Sequence, residues 1–228
     1  MKNFLRRLWF RPNQAGWNPH LFEWYFRRTS TGRRIRAREE EAVFNFLGNV
    51  MKAHHSVLEI GSGTGNYTLP VARRCAEVVA VDASPEMLRY LRQRCHREGS
   101  INNIELRLGQ LPDNLGVSEK FDGILAIGVL NYVEHIEESL RALSSALRAG
   151  GWAIFNMPVS TPEGWFYALQ EELLARRRIN VLSIEEMTRL IERVGLNVQA
   201  TAPAGLSRGG VTLFLLATSS AIFKEALP

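Results

Sequence analysis

The chain is predicted to fold as an α/β protein, a mostly parallel, doubly wound sheet with helices on both faces and a helical segment ahead of it. Three observations point there. Short apolar runs of strand length alternate with amphipathic helical stretches between residues 57 and 157, the pattern of βαβ units. A glycine cluster, Gly61, Gly63 and Gly65, follows the first of these runs and opens onto a helix. The 228 residues are 46% hydrophobic, and a chain of this size buries roughly 70% of the surface its unfolded form exposes. Such a core needs no disulfide or metal staple, so collagen-like, disordered and mini-protein classes are excluded.

The elements follow in order. Val43, Phe44, Phe46, Leu47 and Val50 have helical spacing and predict a helix over 42–51. Val57-Leu58-Glu59-Ile60 is the first strand, 67–75 a helix, and 78–82 a second, buried strand. Ser84 and Pro85 begin the next helix as N-cap and first helical residue, and Gly99 stops it. Strands are expected at 104–108, 121–127 and 152–157, the last two separated by a helix over 134–148 that Gly150-Gly151 ends. An added helix over 162–178 precedes one over 183–194, where Ser183 and Glu186 have capping-box spacing. The last strands, 198–201 and 211–217, flank a Pro/Gly/Ser-rich loop and predict an antiparallel pair at the sheet edge, for seven strands in all. Two units result, a basic, aromatic helical lid over 1–50 and the main domain over 51–228.

Charge is concentrated in the first unit. Residues 1–38 hold ten Lys or Arg against Glu23, a charge of +9, which leaves 18 basic against 22 acidic residues, or −4, for the other 190. Trp9, Trp17, Trp24, Phe22, Tyr25 and Phe26 are interleaved with these arginines. A lid that packs its rings inward and turns its arginines to solvent has this composition. Peripheral contact of residues 1–38 with a membrane is the alternative, and nucleic acid is disfavoured as a partner. No apolar run approaches the ~20 residues of a membrane span, and the first residues lack the features of a secretory signal, so cytoplasmic residence, with the membrane periphery as its variant, is expected. Cys75 and Cys95 are read as packing residues and no metal site is expected.

The chemistry centres on Val57–Thr68, VLEIGSGTGNYT. Glycines there let the backbone approach a ligand. A dinucleotide fingerprint requires a small residue at position 66, which is Asn66. Glu59, two residues before the first glycine, opposes a pyrophosphate and suits a cation. Asp82 ends the second strand 21 residues after Gly61, a spacing common to nucleoside-binding βαβ units, NAD enzymes included.

With Glu59-x-Gly61-x-Gly63-x-Gly65, Val78–Leu88, Gly109-Gln110-Leu111-Pro112, Phe121–Gly128 and Ala149-Gly150-Gly151 in order, the chain resembles the class I S-adenosylmethionine-dependent methyltransferases of the bacterial small-molecule type. The likeness covers about residues 57–217 and implies a Rossmann-like fold and S-adenosyl-L-methionine as cofactor. It implies that Gly61, Ser62, Gly63 and Gly65 wrap the methionine part and Glu59 orients the amino group. It further implies that Asp82 holds the ribose, that Ala83 and Met87 lie near the adenosine, and that Gly109, Gln110, Leu111 and Ile127 complete the pocket. Gln110 stands where many relatives have Asp, so an uncharged carbonyl would accept from the adenine amino group. Phe22-Glu23-x-Tyr25-Phe26 with Thr29, Gly32 and Glu40 or Glu41 resembles the lid stretch of such enzymes, with Phe22 and Glu23 replacing Tyr and Asp.

The fourth strand lacks the [DNS]-P-P-[YF] signature, which counts against DNA, RNA-adenine and release-factor acceptors. The expected activity is metal-free, in-line transfer of a methyl group to an O, N or C nucleophile of a small molecule. Tyr25, Tyr132 and His135, with His20 beside them, are the candidate catalytic residues, His135 as the candidate general base. Trp165, Phe166 and Tyr167 either line an apolar pocket or pack their own helix. A membrane-associated lipid or quinone methyltransferase and a non-catalytic nucleoside-binding protein are the competing functions. Neither the acceptor nor the oligomeric state follows from the sequence.

Overall fold

The computed structural model describes residues 18–99, 101–175, 179–205 and 210–218. Pro19–Arg28 forms α1 and Ser30–Val50 forms α2; β1 (Ser56–Ile60), α3 (Thr68–Ala72), β2 (Glu77–Asp82), α4 (Pro85–Arg97) and β3 (Ile104–Leu108) follow. After β4 (Phe121–Ala126) a 3-10 turn (Leu130–Tyr132) leads to α5 (Ile136–Ala146) and β5 (Leu147–Pro158). The chain continues through α6 (Pro162–Ala175), α7 (Ile184–Arg193), β6 (Leu196–Pro203) and β7 (Val211–Thr218). The seven strands lie in the order β3-β2-β1-β4-β5-β7-β6. β1 to β5 pair in parallel, and β7 runs antiparallel to both β5 and β6.

Period-two alternation along the strands supplies two cores. Leu58, Ile124, Ala153 and Phe214 face Leu140 and Leu143 of α5 and Met187 and Ile191 of α7. Their neighbours Val57, Leu125, Ile154 and Leu215 face Val43, Phe46, Leu47 and Val50 of α2 and Leu91 of α4. Helices therefore cover both faces, as parallel strands require. The sheet is a doubly wound, Rossmann-like α/β sheet, as the alternation predicts.

Three local differences from the sequence expectation have visible causes. α2 is 21 residues long rather than beginning near residue 42, because Thr29 caps it and its first half consists of polar helix formers with no apolar pattern to reveal it. Its last two turns belong to the core, so residue 50 marks no break in packing. α3 stops at Ala72 because Asn103 Nδ2 donates to the carbonyls of Ala72, Cys75 and Ala76 at 2.8, 3.1 and 3.2 Å, satisfying the open end early. Gly150 and Gly151 do not end α5; they lie inside β5, which begins at Leu147 opposite Phe121 and shifts register before Gly123. Ser183 and Glu186 form the expected capping box. The end of the expected helix at 176–178 and loop residues 206–209 lie outside the described residues, as do Trp9 and Trp17.

Candidate active site

β1 ends at the base of the glycine turn, and the turn folds back over β2: the amides of Gly61 and Ser62 both donate to the Val81 carbonyl, at 2.8 and 3.1 Å. Gly61 has φ +71°, and a Cβ on it would lie 2.4 Å from Val129 Cγ2, so this position requires glycine on both backbone and steric grounds. Gly63 and Gly65 also have positive φ. Asp82, at the end of β2, accepts from the Gly63 amide at 2.7 Å and the Ser84 amide at 2.8 Å. Burial pushes its pKa up, against the pull of these two donors. The adjacent strand ends thus form one polar edge.

Glu59 is the strongest electrostatic feature. It lies in a strand buried along its whole length, and desolvation raises its pKa to about 8, with hydrogen bonding from Thr68 opposing and the charge of Asp82 adding. Its Oε2 and the Ser62 Oγ are buried without a hydrogen-bond partner among the described residues. Two orphaned acceptors at a glycine turn, one an acid held against its own ionisation, are unfavourable in isolation and suit a ligand that brings an ammonium or another donor.

The other expected cofactor residues are placed as follows. Met87 is buried in the first turn of α4 and Ala83 is exposed beside Asp82. The Gly109 amide donates to the Asp82 carbonyl at 3.1 Å, next to exposed Gln110, whose backbone pairs with Asn114. Leu111 belongs to the core beneath, packed with residues of the α5 and α7 side, and Ile127 is half-buried after β4.

Tyr132 is half-buried in the 3-10 turn at the carboxyl end of β4, and His135 is exposed at the N-cap position of α5, where its side chain makes no capping bond. In α1, Tyr25 packs edge-on to Phe26 at 5.0 Å and His20 edge-on to Tyr90 of α4 at 5.4 Å. Trp165 and Phe166 of α6 are more than half exposed. Among the described residues no group of three or more His, Cys, Asp or Glu is arranged to hold a metal ion.

Four polar residues that the sequence did not single out join this end of the sheet. Asn131 is buried, with its Oδ1 lacking a partner among the described residues. Asn156 accepts from the Gly128 amide through Oδ1 at 2.6 Å and donates from Nδ2 to Glu39 Oε2 at 2.9 Å. Tyr67 Oη donates to Glu39 Oε1 at 2.8 Å. Glu39, one residue before the Glu40 and Glu41 of the lid stretch, is the acid that makes these two bonds. Helical spacing identifies it, since Gly32, Glu39, Val43, Phe46 and Val50 lie on the face of α2 that turns inward.

Residues 58–153 match the model of a methyltransferase domain family. The chain is 40% identical over 101 residues to the demethylmenaquinone methyltransferase of Tropheryma whipplei (strain Twist), covering 43% of this chain and 40% of that protein. It is 32% identical over 95 residues to a ubiquinone biosynthesis O-methyltransferase of Methylocella silvestris, covering 42% of this chain and 36% of that protein. The matches thus span well under half of either relative. Among solved structures, magnesium protoporphyrin IX methyltransferase from Synechocystis PCC 6803 shares the fold at a TM-score of 0.73 and 16% identity, over 96% of this chain and 100% of that one.

Proposed function

We propose that this protein transfers a methyl group from S-adenosyl-L-methionine to a nucleophile of a small molecule. The observation that carries this is the orphaned, proton-holding carboxyl of Glu59 beside the glycine turn and Asp82. In this account Glu59 and Ser62 hold the amino acid end, the turn at Gly61–Gly65 closes over it, and Asp82 accepts from the ribose. Ala83, Met87, Gly109, Gln110, Leu111 and Ile127 enclose the adenosine. When bound, the cofactor supplies an activated methyl group on a sulfonium.

The chain then has to orient the acceptor in line behind that methyl and exclude water. Gly128, Asn131, Tyr132 and Asn156, at the ends of β4 and β5 next to the glycine turn, are the groups placed to do so. His135 stands close by in the chain as an exposed base for an acceptor that must lose a proton; Tyr25 and His20 belong to α1, where they pack on Phe26 and Tyr90. The acceptor is proposed to be a small apolar or amphiphilic ring compound, as the names of both relatives support. Incubation with methyl-labelled S-adenosylmethionine and cell extract, followed by partition, tests this: label is expected in the organic fraction, and label confined to macromolecules contradicts it.

A second reading, contact with a membrane surface through residues 1–38, is supported by Trp24, 53% exposed on the same helix as Arg27 and Arg28. Among the described residues no helix is long and apolar enough to cross a membrane. Co-sedimentation with anionic vesicles at low salt is expected if this contact exists, and absence of binding there removes it.

A further inference from the structure

The glycine turn is gripped from above by two acids of the N-terminal helices. Glu23 is the buried charged residue of α1. Its Oε1 accepts from Thr64 Oγ at 2.5 Å, and its other oxygen pairs with Arg27 one turn on. Thr64 is itself 1% exposed, and its hydroxyl spends its one proton on Glu23 while accepting from Asn66 Nδ2 at 3.1 Å. Arg94 of α4 donates to the Thr64 carbonyl and to Asn66 Oδ1, each at 3.2 Å, and pairs with Glu98. The second acid, Glu39, binds Tyr67 and Asn156 as described above. The Gly128 amide fixes which way the Asn156 amide points, so both Glu39 oxygens accept.

Both acids come from one bent unit. Thr29 Oγ donates to the Tyr25 carbonyl at 2.8 Å and accepts from the Gly32 amide at 2.9 Å, joining α1 to α2. A Cβ at Gly32 would lie 2.3 Å from the Tyr25 oxygen, so the bend admits only glycine there. The anchor points, Thr64 and Tyr67, bracket Gly65, whose φ is +86°. A turn of this kind loses much conformational freedom on ordering, and each hydrogen bond to a buried carboxylate opposes that loss. Apolar packing alone would cover the turn without the cost of burying the Glu23 carboxylate.

We propose that Glu23 and Glu39 are positioning residues for the cofactor turn. Through Thr64 and Tyr67 they hold it in its ligand-binding shape, so α1 and α2 are part of the S-adenosylmethionine site. This rests on Gly61–Gly65 being the cofactor turn, as proposed above.

The test titrates S-adenosylhomocysteine into the full chain and into T64V, T64S, Y67F and E39Q, with the melting temperature of each protein recorded in the absence of ligand. T64V and Y67F are expected to weaken the Kd tenfold or more, E39Q at least fivefold, and T64S less than threefold because it keeps the hydroxyl. A lowered melting temperature with Kd values within twofold of the unsubstituted chain would mean that the acids only staple the fold, and overturns the proposal. Amide exchange on the unsubstituted chain decides the matter should the variants not fold. S-adenosylhomocysteine is expected to slow exchange in residues 61–67 and in α1 and α2 together; protection of 61–67 alone overturns the proposal. Failure of the unsubstituted chain to bind the ligand removes the cofactor assignment itself, and the proposal with it.

Discussion

At the scale of single residues, Glu59 makes the sharpest prediction because its carboxyl is both buried and held at a pKa of about 8. An ordinary glutamate titrates near pH 4.3, so the folded protein keeps a proton that the unfolded chain has lost. Stability contributed by this proton is full below about pH 4.3 and is lost progressively as the pH rises toward 8. Glu59→Gln is therefore expected to match the unsubstituted protein near pH 4.5 and to exceed its stability by a few kcal/mol at pH 8, read as a melting-temperature gain that grows with pH. A constant difference across that range contradicts it. Pairing with a ligand's α-ammonium group requires the ionised form of Glu59, so S-adenosylhomocysteine should release a proton below pH 8 and bind up to about tenfold more weakly per unit of falling pH. Titrations in buffers of different ionisation enthalpy measure that release directly. Asp82→Ala should weaken the same binding at least tenfold while leaving the protein folded; unchanged affinity removes Asp82 from the site. Glu59, Asp82 and the glycines were legible in the sequence because motif spacing marks them. Glu39 was not, since it opens a run of three glutamates and only the helical phase set by the later residues of α2 distinguishes it. Asn131 and Asn156 gave no signal, because their roles arise only where β4 and β5 end side by side.

At the scale of elements, β1 to β4 and β7 were legible to within a residue, whereas β5 begins five residues before the expected strand and the limits of the second and third helices were missed. Alternation with period two marks β3 and a largely apolar run marks β4, whereas the limits of α2 and α3 depend on single side chains. Asn103 reaches the end of α3 from the start of β3, a contact between residues some thirty positions apart that no local pattern encodes. The capping box of α7 was readable because both partners lie within four residues. Ser183→Ala is expected to cost about 1 kcal/mol, or about 2–4 °C in melting temperature for a domain of this size. Binding of S-adenosylhomocysteine should be unaffected, since α7 packs on the side of the sheet away from α2 and α4. A matching loss of affinity would mean that α7 supports the site.

At the scale of the whole molecule, one sheet brings Glu59, Asp82, Asn131 and Asn156 to the carboxyl ends of its central strands or just beyond them, and two helices from the basic N-terminal segment close over the turn between β1 and α3. The doubly wound sheet could be read from the alternation of runs. A lid over 1–50 is the reading that composition and the resemblance favour; which of its side chains meet the turn could not be read, because only the folded positions of Glu23 and Glu39 bring them to Thr64 and Tyr67. The central claim is that the strand ends form a site for S-adenosylmethionine and not for a dinucleotide. Thermal denaturation of the purified chain with S-adenosylhomocysteine and, separately, with NAD tests it most directly. At a hundred times its Kd the ligand contributes ~2.7 kcal/mol, so a rise of about 5–10 °C with S-adenosylhomocysteine and none with NAD is expected. A rise with NAD and none with S-adenosylhomocysteine would contradict the account.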